Sequence, residues 1–351
     1  MGYSCVRTWA WYGLLVVVWA SLGVAAAADP RFADDPIVVE SVDRSVEAHS
    51  GATRAYFQNF IGNVRGNLAL SAGLRFDALD WSIGGAFSGE QINVRSELEW
   101  TQVLSYQVQL SGQAQVGRHL YGRGHVAYAA IQSGTVRDSD YRGNDRTDLY
   151  SCSVSDTNDD QLWDVLAGVG YPFHFSDQRL LIAPLIGYSA HKQNFRITNG
   201  TQTINQPVPL DSRLDSTYRA LWQGFWVGCD IRYALPAPVN QSAPMEWSLG
   251  LIYHFRTDFS AEATWNLRED FRQPKSFEQK ADGHGVTIQA EWLLRITRQL
   301  KGALLVQFTD WSTDAGTDTL YLANGSTVAM RLNPVSWRSY SVMLGLTYSF
   351  F

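Results

Sequence analysis

Past residue 28 the chain has no run of about 18 apolar residues, so no helix in it can span a bilayer. It has only three cysteines, Cys5, Cys152 and Cys229, too few for a disulfide framework and not spaced as a metal cluster. Cys152 and Cys229 can pair only if the fold brings their Cα atoms within about 7 Å. Two free thiols are expected. Basic residues are not in excess: 28 Lys and Arg stand against 34 Asp and Glu, a formal charge of -6. The basic stripe needed to hold nucleic acid is therefore missing. Gly-rich phosphate loops, a nucleophile elbow and His/Cys metal spacings are missing too, so no metal and no cofactor is expected.

What is present begins with an address. Arg7 supplies a positive start, Gly13 to Val24 a short apolar stretch, and Ala25 to Ala28 small residues for cleavage. Residues 1–28 are read as a signal peptide, 29–66 as a periplasmic or mobile extension, and 67–351 as the folded unit. A plug is the second option for 29–66.

The folded part is rich in aromatic residues and glycine (13 Trp, 16 Tyr, 16 Phe, 29 Gly) rather than in blocks of Leu and Ile. Its segments alternate. Trp247, Leu249, Leu251, Tyr253 and Phe255 form one row against Ser248, Gly250, Ile252 and His254. Tyr340, Val342, Leu344, Leu346, Tyr348 and Phe350 form another against Ser341, Met343, Gly345, Thr347 and Ser349. Apolar rows closed by aromatics at both ends suit strands that face lipid outside and a wet interior inside. A soluble β-sandwich also alternates, but the export signal and the aromatic carboxyl end count against it.

Ten such segments are expected, at 67–79, 91–115, 119–136, 160–174, 179–199, 214–234, 246–266, 283–297, 299–314 and 334–351. The fold expected is therefore all-β: a ten-stranded antiparallel transmembrane β-barrel in the outer membrane of a Gram-negative-type bacterium. The long polar connections near 80–90, 137–159, 200–213, 267–282 and 315–333 should face outside. Pro184 interrupts an otherwise good strand. A ten-strand wall filled by side chains leaves little free space, so no wide diffusion pore is expected.

Ser96-Glu97-Leu98-Glu99-Trp100, then Ser133-Gly134 followed by Asp138-Ser139-Asp140, then Asp164–Tyr171 and the closing strand Ser341–Phe350, resemble the omptin family of outer-membrane proteins. Non-proteolytic outer-membrane barrels, such as those of chlamydia relatives, are similar in architecture. The resemblance implies two functions. One is a structural, adhesion or interaction role through the outer loops, with an extracellular protein or host partner. The other is an omptin-like aspartyl endopeptidase cutting between basic residues.

For a peptidase, the resemblance implies an Asp pair facing an Asp-x-His across the mouth, with water between them as nucleophile. Asp138 and Asp140 match the first half. The family's Asp-x-His falls near Asn266 and Arg268, which carry neither residue, so Asp282 and His284 are the candidates for the second half. Tyr188 and Lys192 match two positions through which omptins hold lipopolysaccharide, the one bound lipid expected. Phe350 and Phe351 resemble the terminal signal read by barrel-assembly machinery. Outer-membrane lipid is the remaining partner.

Overall fold

The computed structural model describes residues 64–87, 92–176, 179–204, 206–235 and 245–350. The expected signal peptide, residues 29–63 of the expected extension and Phe351 lie outside these. Fifteen strands follow in chain order: β1 (Val64–Ala86), β2 (Ser96–Val116), β3 (Leu120–Tyr141), β4 (Leu149–Thr157), β5 (Gln161–Gly170), β6 (Phe173–Phe175), β7 (Leu180–Gln202), β8 (Val208–Pro209), β9 (Ser216–Ala234), β10 (Met245–Thr264), β11 (Phe277–Arg295), β12 (Leu300–Thr313), β13 (Gly316–Tyr321), β14 (Thr327–Leu332) and β15 (Ser336–Phe350).

Every pairing is antiparallel. The ladders run β1, β2, β3, then β5 with β4 above it, then β7, β9, β10, β11, β12 and β15. They return to β1 through a register from Gly66↔Phe350 to Asp80↔Ser336. That is the expected ring of about ten strands, and the first begins at Val64 rather than 67.

Two of the expected loops are partly strand. β4 occupies 149–157, and β13 with β14 forms a hairpin inserted between β11 and β1 at the long-loop end. Backbone N–H and C=O groups in a wall this tall need partners, and added strands supply them. Pro184 sits where little is lost. β5 ends opposite Leu185 and β6 starts opposite Ile182, so the missing N–H faces a break in the neighbouring strand.

The lower part of the ring is greasy outside and polar inside. Leu344 is 70% exposed, and Ile186, Phe225, Leu70 and Val108 share its outer surface. Aromatic pairs edge the band, Tyr128 against Trp163 at 4.8 Å above and Tyr171 against Phe173 at 4.9 Å below. Inside, Arg123 is ion-paired with Asp230 and donates to Gln289 at 2.8 Å, while Tyr121 donates to Asp230 at 2.9 Å. Higher up, Arg75 bridges Asp77 and Asp164, and Asp164 meets His191 at 2.8 Å.

The upper part reverses this. Its interior is an apolar core containing Trp81, Trp100, Trp222, Trp311 and Trp337 with Phe195 and Tyr218. The reversal happens at bulges. β2 points Ser105, Gln107 and Gln109 inward below Gln102, which has φ +53°, and Leu98 and Trp100 inward above it. On β3 the extra residue is Gln132: Arg123 and His125 point in below it, Val136 above. On β10, Phe255 and Arg256 take the same part, between inward His254 and inward Thr257 and Phe259. One inserted residue exchanges the two faces of a strand.

Cys152 lies in β4 near the top and Cys229 in β9 opposite Pro184, and both thiols are free.

Two outcomes follow. Leu344→Arg, midway between Tyr340 and Tyr348, should cost about 2–4 kcal/mol in urea unfolding from lipid bilayers. Asp230→Ala leaves the fully buried Arg123 with only Gln289, and should cost about 3–5 kcal/mol in the same assay. A loss under about 1 kcal/mol in either case contradicts the assignment of faces.

Candidate functional site

Above the tryptophan core, at the long-loop end, lies a cavity of about 360 Å³. Strand β1 supplies Trp81, β3 supplies Asp138 and Asp140, the 265–276 segment supplies Trp265, Arg268 and Phe271, and β13 supplies Asp318. The parity switch at Gln132 is what brings Asp138 and Asp140 inward together, on the face of Val136. Trp81 and Trp265 each meet Phe277 edge-on, at 5.6 and 4.9 Å, which fixes the aromatic wall.

The acids here are not ordinary surface carboxylates. Burial, and then the charge of Asp140, push the Asp138 carboxyl up to about 7, and Arg268 pulls it back. Arg268 is itself held by Asp270, at 2.8 and 2.7 Å, and lies over the Phe271 ring at 4.3 Å. Asp318 is 1% exposed and burial pushes it up to about 7 as well. Neither of its oxygens has a hydrogen-bond partner. Gln279 stands opposite it across the ladder, the Gln279 side-chain oxygen already accepting from Tyr218 at 2.7 Å.

The structure separates the two halves of the expected peptidase site. Inward positions on β11 are odd-numbered: Phe277, Gln279, Gly283 and Thr287 are buried. Asp282 and His284 are even-numbered and exposed on the outer wall, in the row of Val286, Trp292 and Leu294. Asp282 is paired with Arg256 at 3.0 Å, outside the ring. They do not face Asp138, and among the described residues no histidine lines the mouth cavity. What faces the Asp pair is Arg268.

Asn266, the other position where the family pattern fell, ties down loops instead. It accepts from the Asp215 backbone N–H at 2.9 Å and donates to the Arg213 carbonyl at 2.7 Å. The sequence marks Arg268 only as a position without the family's Asp or His, and nothing in it marks Asp318, which lies within the expected loop 315–333.

Tyr188 and Lys192 are both exposed on the outer wall of β7, Tyr188 edge-on to Phe225 at 5.0 Å. Lys192 lies just above the aromatic edge of the lipid band. Arg219 is exposed on the same wall of neighbouring β9, and both cations act on the Asp160 carboxyl, which burial raises. Among the described residues, no His, Cys, Asp and Glu side chains are grouped to hold a metal ion.

No curated protein matches the chain. Among solved structures, the outer membrane protease OmpT from Escherichia coli aligns with a TM-score of 0.66 at 11% identity, over 82% of this chain and 97% of that one. The outer membrane protein OprG from Pseudomonas aeruginosa gives 0.35 at 10% identity, over 81% and 96%. The translocator domain of the autotransporter NalP from Neisseria meningitidis gives 0.34 at 10%, over 88% and 98%. The OmpT likeness is one of fold alone. The family described as Protochlamydia outer membrane protein matches residues 69–350. With the ring of strands and its greasy outer band, that match makes the chain an outer-membrane β-barrel protein belonging to the Protochlamydia outer membrane protein family.

Proposed function

We propose that this protein is a surface component of the outer membrane that binds at its outer mouth and does not cut there. One observation carries the reading: a guanidinium, not an imidazole, faces the Asp138–Asp140 pair. Activating a water needs a group that accepts its proton. Arg268 stays protonated at any working pH and has no lone pair to offer. The same carboxylates and aromatic walls suit recognition of a positively charged partner group, because the cavity sets Asp138, Asp140 and Asp318 against Arg95 and Arg268 beside ring faces. The adhesion or interaction role expected of the outer loops then has a defined locus.

A second reading keeps the omptin-like endopeptidase. The raised Asp138 carboxyl favours it, since a carboxyl titrating near 7 can hold and release a proton during catalysis. Outer-membrane lipid is a separate partner. Lys192 and Arg219, beside Tyr188 at the upper edge of the lipid band, suit phosphate groups of lipopolysaccharide.

The readings separate in one assay. The full barrel, refolded with lipopolysaccharide, is offered a fluorogenic peptide with two adjacent arginines. The peptide should be retained uncut at low salt. Retention should fall about tenfold or more for Asp138→Asn with Asp140→Asn, and should not change for His284→Ala. Cleavage abolished by Asp138→Ala would establish the peptidase instead.

A further inference from the structure

The mouth cavity contains a carboxylate that the binding reading does not explain. Asp318 comes from the inserted β13–β14 hairpin, is buried, lines the cavity, and has both oxygens without a hydrogen-bond partner. A buried ionised carboxylate without donors is costly, and such groups are normally satisfied by a partner. The Gln279 amide opposite it lies near enough to pull the carboxyl back down, but not in the geometry of a full hydrogen bond. Asp318 therefore has no well-formed N–H donor, and it lines the cavity.

The second negative locus, Asp138 with Asp140, lines the same cavity from a different wall. Counting ladders from β3 through β2, β1 and β14 to β13 gives four steps. At about 4.8 Å a step the two backbones lie about 19 Å apart along the wall, and closer across the cavity. Asp140 and Arg268 act on Asp138, whereas no charged group acts comparably on Asp318, so the two loci are electrostatically separate. Between them the walls are apolar and aromatic: Trp81, Ile83, Phe277, Leu320 and Met330. A volume of about 360 Å³ falls at the small-ligand end of binding cavities, roughly 300–1,000 Å³.

We infer that the mouth cavity is a site for a linear alkyl diamine or polyamine, one ammonium on Asp318, the other on the Asp138–Asp140 pair, and the methylene chain against the aromatic wall. A primary ammonium brings three N–H donors, which a carboxylate without donors lacks and a quaternary ammonium cannot give. The methylenes match walls that would repel a bare hydrated ion. This deepens the binding reading above and rests on it. The same alkylammonium chemistry is carried by a free diamine and by a lysine side chain.

The test is calorimetric titration of the full refolded barrel with α,ω-diaminoalkanes of three to eight carbons, 1-aminopentane, pentane-1,5-diol, and a peptide holding one lysine. Diamine affinity should pass through an optimum in chain length. The monoamine should bind about tenfold more weakly than the best diamine, and the diol not at all. Asp318→Asn should weaken the diamine about tenfold while keeping the fold, because it removes a buried charge and keeps the shape. Asp282→Asn, on the outer wall, should change nothing.

Binding should weaken about tenfold for each locus, and so up to about a hundredfold, from pH 8 to pH 6. Both Asp318 and Asp138 take up a proton near 7, and the charged or titratable groups facing them are Asp140, Arg268, Arg95, Tyr150 and Tyr218. Lysine-peptide binding sensitive to Asp318→Asn identifies a side chain as the source of the ammonium, and diamine binding alone identifies a free amine. If the double-arginine peptide is retained while neither diamine nor lysine peptide binds, the binding reading stands and this inference falls. Equal affinity for diamine and diol, or Asp318→Asn titrating like the unaltered protein, also overturns it.

Discussion

The structure depends on a change of solvent partway up one wall. Where the ring passes through hydrocarbon, an apolar outer face is favourable and the inner face is free to be polar. Where the same strands rise into water, the outer face must be polar and the inner face has to form an ordinary core. A strand whose side chains alternate strictly cannot satisfy both halves with one apolar row. β2, β3 and β10 solve this with an inserted residue at Gln102, at Gln132 and at Phe255–Arg256, so the apolar row crosses from outside to inside. β1 keeps its parity and changes composition instead: Ser71, Arg75 and Asp77 point in below, Leu79, Trp81 and Ile83 above.

The tryptophans follow from this. Above the bulges no lipid hides apolar surface, so the interior must, and large rings fill a wide ring of strands with few residues. Trp222, Trp311 and Trp337 pack on one another, with centroids 5.7 to 6.1 Å apart, and cap the polar network beneath. Trp337 donates to Asp77 at 2.9 Å and Trp222 to Gln193 at 3.0 Å, so the cap is tied to the groups it covers. A lumen packed this way is a core, in keeping with a ten-strand wall rather than a wide channel. The top of the same core, Trp81, Leu98, Phe277 and Met330, lines the mouth cavity, which is why the charges there are held in a poorly solvated place.

The membrane half of the fold was legible because one uninterrupted alternation encodes it: Leu344 and Leu346 on one face and Ser341 and Met343 on the other need no further information. The upper half was less so. The bulges at Gln102 and Gln132 are marked only by Gly134, which faces Gln102 and Val103 across the ladder, and β4, β13 and β14 are too short and polar to stand out from loop. Asp138 and Asp140 were legible as a pair because two-residue spacing survives whichever face is inward. Asp318 was hidden in Gly316–Tyr321, where only pairing with Gln279 and Met330 makes the segment a strand. His284 is different: the row of Val286, Trp292 and Leu294 on its own strand already assigns it to the outer wall.

The position of Arg268 is what the proposed reading of the mouth turns on. A mouth built from two opposed walls will place some side chain opposite the Asp pair, and the kind of side chain decides what the acids do. An imidazole there would share protons with water, and the carboxylates would serve a reaction. A guanidinium fixes a positive charge that neither gives nor takes a proton, so the carboxylates are left to hold charge in place. Arg268 is only partly theirs, because Asp270 grips it in a two-pronged pair and Phe271 lies under it. The pair thus keeps unspent attraction for another cation, and the aromatic wall beside it gives that cation an apolar body to carry. In the proposed reading, selectivity at this mouth comes from the number and spacing of positive groups on the visitor.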